Sequence, residues 1–298
     1  RSFCPRRQLR PAALTYPRPV PGTLILCASP IGNLADAPPR LAEALRSADL
    51  VYAEDTRRAR ILLGHLGVSR PVRSYFVGNE AERSVELAGR LAAGETVALL
   101  TDAGVPTISD PGLSAVRAAV GAGAVVTGVP GPSAVTLAAA VSGFPVDRFV
   151  FEGFLPRRGE RRAERLATLA GEPRTMILFC SPGRLSADLA DLAAALDGDR
   201  RCVVCREMTK LHEEIWRGTL EGARQHWGES PARGEVTLVV EGAPEAAPDL
   251  DGALAQVEAL VAGGSALSAA CRLVAGERGI RRRALYEAAM ARRREGGG

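Results

Sequence analysis

Apolar runs of strand length alternate with segments of helical spacing from residue 23 onward. Residues 23–28 (TLILCA) form an unbroken apolar run, the pattern of a strand buried on both faces of a parallel sheet. Leu41, Ala44, Leu45 and Ala48 follow at helical spacing. Further strands are predicted at 50–53, 71–76, 96–100 and 124–127. Between and after them, helices are predicted at 84–93, 113–120 and 133–141, with another placing Ile61, Leu62 and Leu66 on one face. Such alternation makes a parallel α/β sheet the economical arrangement.

The pattern restarts after 142–148, the expected join to a second α/β domain. Strands are expected at 149–154, 175–180, 201–206, 215–219 and 235–241, and helices at 163–170, 185–196 and 220–227. Residues 242–252 read as a Pro/Ala/Asp-rich linker, followed by short helices at 253–262, 267–277 and 283–293 and an unstructured tail at 296–298. The domain boundaries drawn from this pattern are a basic disordered leader (1–21), an N-terminal α/β domain (22–145) and a C-terminal α/β domain (146–243). A linker and helix (244–264) and a helical extension (265–293) complete the chain.

Composition narrows the class. The 298 residues are 46% hydrophobic and 24% charged, as in a globular protein. No apolar run approaches the ~20 residues that span a bilayer, so no membrane association is expected. The Arg- and Pro-rich leader has no hydrophobic segment of the secretory kind. Net charge is only +4, and Lys210 is the sole lysine among 38 basic residues, so arginine abundance by itself does not imply nucleic acid. Six scattered cysteines suggest reduced thiols and a cytoplasmic protein. Cys202 and Cys205 form a CxxC inside an apolar run, better explained by a buried strand than by a redox or zinc site, and no metal ligand set is expected.

Three predicted strands end in Gly/Pro loops, near residues 30, 104 and 131. In a parallel sheet those ends share one edge, where open α/β sheets bind ligands. The loop 101–112 is the densest in Asp, Gly and Pro; Gly104 permits close backbone approach, and Asp110 or Ser109 is a candidate cap for the next helix. These loops offer backbone groups and the carboxylates Glu54, Asp55, Asp102 and Asp110 but few cations. With neither a Walker A sequence nor a GxGxxG after the first strand, triphosphates and dinucleotides are disfavoured. A sulfonium such as S-adenosylmethionine is compatible with such a pocket.

SPIGNL (29–34), AEDTR (53–57), TDAGVPTISDPG (101–112), VPGPSA (129–134), FEGFLPRRG (151–159) and REMTKLHEEIWRG (206–218) occur in that order. Together they resemble the tetrapyrrole-methylase-like superfamily and, within it, the bacterial 16S rRNA cytidine 2′-O-ribose methyltransferases, over roughly residues 22–243. Residues 267–290 resemble that family's helix-turn-helix-like extension. The resemblance implies two α/β domains of the tetrapyrrole methylase (class III methyltransferase) type, with S-adenosylmethionine in the cleft between them, and a homodimer. It implies as substrate a cytidine, expected to be cytidine 1402, in the decoding centre of 16S rRNA on the small ribosomal subunit.

By motif match, the cofactor-contacting positions are Pro30, Asp102, Ala103, Gly104, Ile108, Ser133 and Ala134. Candidate catalytic groups are Glu54, Asp55 and Glu207 as bases and Lys210 as an orienting cation; a local cap and ion pair is the alternative for Glu54, Asp55 and Arg57, and a surface pair for Glu207 and Lys210. Arg57 and the cluster Arg157, Arg158, Arg161, Arg162, with Arg165 beside it, are candidate RNA contacts. Arg281, Arg282 and Arg283 form a second basic run in the extension. Two positions depart from the family pattern: Phe76-Val77-Gly78 stand before Asn79-Glu80 where relatives carry His-rich residues, and Cys180 stands where relatives carry Glu. A tetrapyrrole C-methylase and a non-catalytic RNA-binding relative are the alternative functions.

Overall fold

In the computed structural model, β1 (Thr23–Cys27), β2 (Leu50–Ala53), β3 (Val72–Ser74), β4 (Thr96–Leu100) and β5 (Val125–Val129) form one parallel sheet, ordered β3-β2-β4-β1-β5. The residues described are 21–228, 232–244 and 249–295. The basic leader (all but Pro21), the centre of the 242–252 linker and the tail 296–298 lie outside them. Alternate residues of the central strands enter different cores, which is why those strands are apolar throughout. Ile25, Val51 and Ala98 pack under α1 (Pro39–Ser47) and α2 (Thr56–His65). Leu24, Tyr52 and Leu99 pack under α3 (Glu80–Ala92) and α4 (Leu113–Gly121).

The second sheet, β6 (Phe149–Phe154), β7 (Thr175–Cys180), β8 (Arg201–Arg206), β9 (Glu214–Thr219) and β10 (Val236–Val240), is mixed and ordered β6-β7-β10-β8-β9. Only β6 and β7 run parallel. One face carries α6 (Glu160–Ala170), α7 (Leu185–Leu196) and α8 (Leu220–Gly228). The opposite face packs against α5 (Ala134–Ser142), the helix that follows β5: Val135, Ala138 and Ala139 meet Ile177, Val203 and Val239. α5 therefore belongs to the first sheet by sequence and to the second by packing, and it joins the two lobes through a shared core.

The described residues divide into two compact units between Ala243 and Pro244. The second unit comprises α9 (Leu250–Ala262), α10 (Leu267–Arg278) and α11 (Arg282–Glu295) around its own core of Leu254, Val257, Cys271, Val274 and Leu285. α10 ends on Gly279 in the left-handed conformation, a common helix stop. No helix among the described residues is long and apolar enough to cross a membrane. Cys202 and Cys205 are buried in β8 on opposite faces, one in each core, so the CxxC is a strand segment.

Candidate active site

The chain runs from β1 to one side of the sheet and from β4 to the other, so the strand order reverses between these two neighbours. A crevice opens outside the carboxyl ends of strands at such a switch point. Here the two loops are laced together. The Ser29 N–H donates to the Gly104 carbonyl at 2.9 Å, the Gly104 N–H donates back to the Ser29 carbonyl at 3.1 Å, and Ser29 Oγ donates to the Thr101 carbonyl at 3.1 Å. Beyond Gly104 (φ +75°), Thr107 and Ser109 sit at φ +78° and +61°, strained for side chains with a Cβ and above all for the β-branched Thr107.

One expectation is corrected here. Neither Asp110 nor Ser109 caps α4: its N-cap is Gly112, which has no capping side chain. Glu80 of α3 does that work from outside, accepting from the Gly112 N–H at 2.8 Å and from Ser114 Oγ at 3.0 Å. Asp110 and Ser109 thus remain in the lining of the cleft.

The main cleft, about 270 Å³, lies between the lobes. Ala103, Gly104, Ile108, Ser133 and Ala134 line it from the first lobe, as do Asp110 and Ile31; Phe179, Cys180, Ser181, Glu235 and Thr237 line it from the second. An adjoining recess of about 290 Å³ contains Pro30, Asp102, Arg58 and Lys210 and shares Ile31, Ala103 and Glu235 with the main cleft. All seven positions matched to cofactor contacts thus border two connected hollows. Thr101 borders a third hollow beside Pro30 and Asp102.

The acidic groups differ in chemistry. Asp55 caps α2, accepting from the Arg57 N–H at 2.7 Å and pairing with the Arg57 guanidinium at 2.9 Å. These hydrogen bonds pull its carboxyl down to about 2, which makes it a weak base and occupies Arg57 locally. Glu54 is raised above the ordinary carboxylate value by burial, against the Asp102 N–H it accepts at 3.4 Å. Asp102 itself accepts from the Asp55 N–H at 3.0 Å and lies 3.4 Å from Arg58. Asp110 is pushed up to about 7 by burial, then by the nearby charge of Glu54.

Across the cleft, Lys210 Nζ donates to Glu207 at 2.8 Å and to Glu235 at 2.9 Å. The Lys210 partner holds Glu207 below the ordinary value; burial opposes the Lys210 charge, but the two carboxylates outweigh it and raise the lysine. The turn is tight: Glu207 and Thr209 adopt φ +51° and +68°, and a Cβ on Gly234 would lie 2.2 Å from Glu207 Oε1. Gly32 is equally constrained, since a Cβ there would lie 2.5 Å from Lys210 Cγ. This lysine therefore seats the 29–34 loop against the second lobe.

The arginine cluster separates into two kinds. Arg162 is buried: it donates to Asp188 at 2.8 Å, to Asp191 at 2.7 Å and to the Pro156 carbonyl at 2.9 Å. That corrects its assignment as an RNA contact, because its donors are spent pinning α6 to α7. α6 begins at Glu160, earlier than the pattern predicts, and puts Arg162 on the same stripe as Leu166 and Leu169. Arg165 pairs with Glu152 at 3.1 Å. Arg157, Arg158 and Arg161 are exposed, and their guanidiniums make no ion pair among the described residues.

Of the two departures, Phe76-Val77-Gly78 forms an exposed turn closed by Asn79, which accepts from the Phe76 N–H at 2.8 Å, away from the hollows described above. Cys180 forms part of the cleft wall, its thiol pushed up by burial and by the charge of Asp188. Ser181 follows Cys180 in the segment that matches the family's Glu-Ser-Pro-x-Arg pattern, whereas Glu235 and Thr237 carry no sequence signal for the site. They reach it only because α5 holds the second sheet against the first lobe.

Two lobes joined by a shared helix, with a ligand cleft at the switch point of the parallel one, define the tetrapyrrole methylase class. The sequence pattern of the tetrapyrrole (corrin/porphyrin) methylases matches residues 23–223. The fold is similar to that of uroporphyrin-III C-methyltransferase from Thermus thermophilus, solved in complex with S-adenyl homocysteine. The TM-score is 0.54 at 20% identity, covering 74% of this chain and 97% of that one. Closer in sequence are two proteins named ribosomal RNA small subunit methyltransferase I. That of Mycobacterium tuberculosis (strain CDC 1551 / Oshkosh) is 47% identical over 93% of this chain and 98% of its own. That of Synechocystis sp. (strain PCC 6803) is 44% identical over 89% and 96%. The chain belongs to the ribosomal RNA small subunit methyltransferase I family of methyltransferases.

Proposed function

We propose that the chain methylates the ribose 2′-hydroxyl of a cytidine, cytidine 1402, in the decoding centre of 16S rRNA, using S-adenosylmethionine, and that it acts on the small ribosomal subunit as a homodimer. The observation that carries the reading is the character of the interlobe cleft. Its walls are part apolar (Ile31, Ile108, Val135, Val236) and part acidic (Asp110, Glu235), while the nearby cations Arg58 and Lys210 are already paired. Such a donor set suits a cationic ligand with an uncharged purine and ribose, and it disfavours polyphosphate. The same fold holds S-adenyl homocysteine in the uroporphyrin-III methyltransferase.

Pro30, Asp102, Ala103, Gly104, Ile108, Ser133 and Ala134 would hold the cofactor, which supplies an electrophilic methyl group. The protein's contribution is first to hold the ribose hydroxyl close to that group, the largest lever available to it. Its second is to remove the hydroxyl proton, worth ~10²–10⁴-fold. Asp110 and Glu54 suit this role because burial raises both above the ordinary carboxylate range, whereas Asp55 and Glu207 are held low by their partners. Lys210 orients Glu207 and Glu235 and closes the recess.

The test is incubation of the protein with unmodified small ribosomal subunits and methyl-labelled cofactor, followed by mapping of the labelled nucleotide. Label on a cytidine ribose is expected. Label on a base, or none on the subunit and transfer to a tetrapyrrole instead, would overturn the reading. Full transfer by alanine variants at Glu54, Asp110 and Glu207 alike would remove the base from the mechanism and leave positioning alone.

A further inference from the structure

Phe154, the last residue of β6, is 54% exposed at the mouth of the cleft. Its direction is the product of a local irregularity. In a regular strand, residues three apart face opposite sides of the sheet. Between Phe151 and Gly153 the register of β6 on β7 shifts, leaving Glu152 as an extra residue. Such a bulge re-aims the side chains that follow it. Phe151 and Phe154 consequently flank Phe179 on one face, with ring centroids 4.9 and 5.6 Å from it. Gly153 adopts φ +63°, and a Cβ there would lie 3.2 Å from Ser109 Oγ, so the bulge abuts the loop that follows β4.

Phe154 and Ser181 are shared between the main cleft and a separate hollow of about 340 Å³, whose other lining residues are Leu155, Arg157, Arg184 and Asp188. The volume falls within the range of about 300–1,000 Å³ typical of small-ligand sites. Arg184 is fixed in place: it donates to the Arg157 carbonyl at 2.9 Å and lies 3.6 Å from Asp188, whose charge is already shared with Arg162. The Arg157 guanidinium has no ion-pair partner among the described residues. The hollow thus combines an exposed aromatic side chain with two cationic groups, and it shares Phe154 and Ser181 with the main cleft.

We propose that this hollow receives the target nucleotide, extruded from its stack, with its base against the Phe154 ring and a flanking phosphate on Arg157 and Arg184. Enzymes that do chemistry on a base extrude it in this way; here the same movement would carry the ribose out of folded RNA to the cleft wall. Aromatic rings accept any base by stacking, and guanidiniums hold phosphate without reading sequence. A nucleotide seated there presents its ribose at the shared wall, toward Ser181 and Asp110. The proposal rests on the ribose-methylation reading and adds the site that would position its substrate.

The test compares Phe154→Ala, Phe154→Leu and Phe154→Tyr, together with Arg157→Gln, on unmodified small subunits, with cofactor affinity measured separately by titration calorimetry. Replacing a stacking ring by alanine is expected to lower kcat/KM for the subunit roughly 5- to 150-fold at saturating cofactor; because Phe154 also borders the main cleft, variants are compared only at cofactor concentrations that saturate each. Tyr is expected to restore activity and Leu is not, since Leu keeps the apolar wall but lacks a π face. Arg157→Gln should raise KM in a salt-dependent way. Full activity of Phe154→Leu, or unchanged kcat/KM in Phe154→Ala, overturns the nucleotide site while the methylation reading stands. An inactive parent protein that binds cofactor overturns the methylation reading instead. Should Phe154→Ala fail to bind cofactor, the Leu/Tyr contrast decides.

Discussion

At the scale of single residues, a carboxyl group is defined by its neighbours. Asp55 and Asp110 are identical side chains at the rim of one sheet, one pulled to about 2 by Arg57 and the other pushed to about 7 by burial and Glu54. The consequence for Asp110 has a definite sign. Its folded value lies above the ordinary 3.8, so the folded state binds more protons between about pH 4 and 7 and stability is lost as pH rises through that window. Asp110→Asn should therefore raise the melting temperature of the cofactor-free protein at pH 8, with the advantage shrinking as the pH falls toward 4. A melting difference that stays constant across this range would show that Asp110 ionises normally. Sequence identifies the Asp, but its ionisation depends on residues distant along the chain, Glu54 and Glu235 among them.

Elements are positioned by a few buried polar groups as much as by apolar faces. Arg162 joins α6 to α7 through Asp188 and Asp191, with Arg162 and Asp188 both almost fully buried. Removing one partner of a buried pair strands the other charge, so Arg162→Ala should cost about 3–5 kcal/mol in urea unfolding. Arg158→Ala, at an exposed neighbour, should change stability by no more than about 0.5 kcal/mol. Equal effects would mean that the pair is solvated. The run of arginines from 157 to 165 looks uniform in sequence. The spacing of Arg162 to Leu166 and Leu169 was the available signal that one of them faces inward, and it becomes readable only once the true start of α6 at Glu160 is known. The bulge in β6 is hidden in a different way, because Glu152-Gly153 has no pattern until β7 lies beside it.

For the whole molecule, net charge of +4 is too small to draw RNA by itself, so binding has to come from local groups. Arg157, Arg158 and Arg161 follow the end of β6, with Arg157 lining the hollow next to the cleft, and their guanidiniums make no ion pair among the described residues. Replacing all three with Ala should weaken subunit binding and flatten the plot of log affinity against log salt by up to about 0.7–0.9 for each phosphate left without its guanidinium. An unchanged slope would place the RNA on another face. Cofactor affinity should not change, since none of the three borders the main cleft.

Alternation of short apolar runs with helical spacing was sufficient to determine a parallel α/β sheet with Gly/Pro loops on one edge, because a strand buried on both faces must be apolar throughout, and this constraint is local. The motifs in those loops were sufficient to assign the family. Tertiary structure alone decided that α5 packs on the other lobe's sheet, that Glu235 and Phe154 face the cleft, and that Arg162 is a strut. Each of these depends on which surfaces meet across long sequence separations, and hydrophobic burial rewards contact without specifying in the local sequence which partner will provide it.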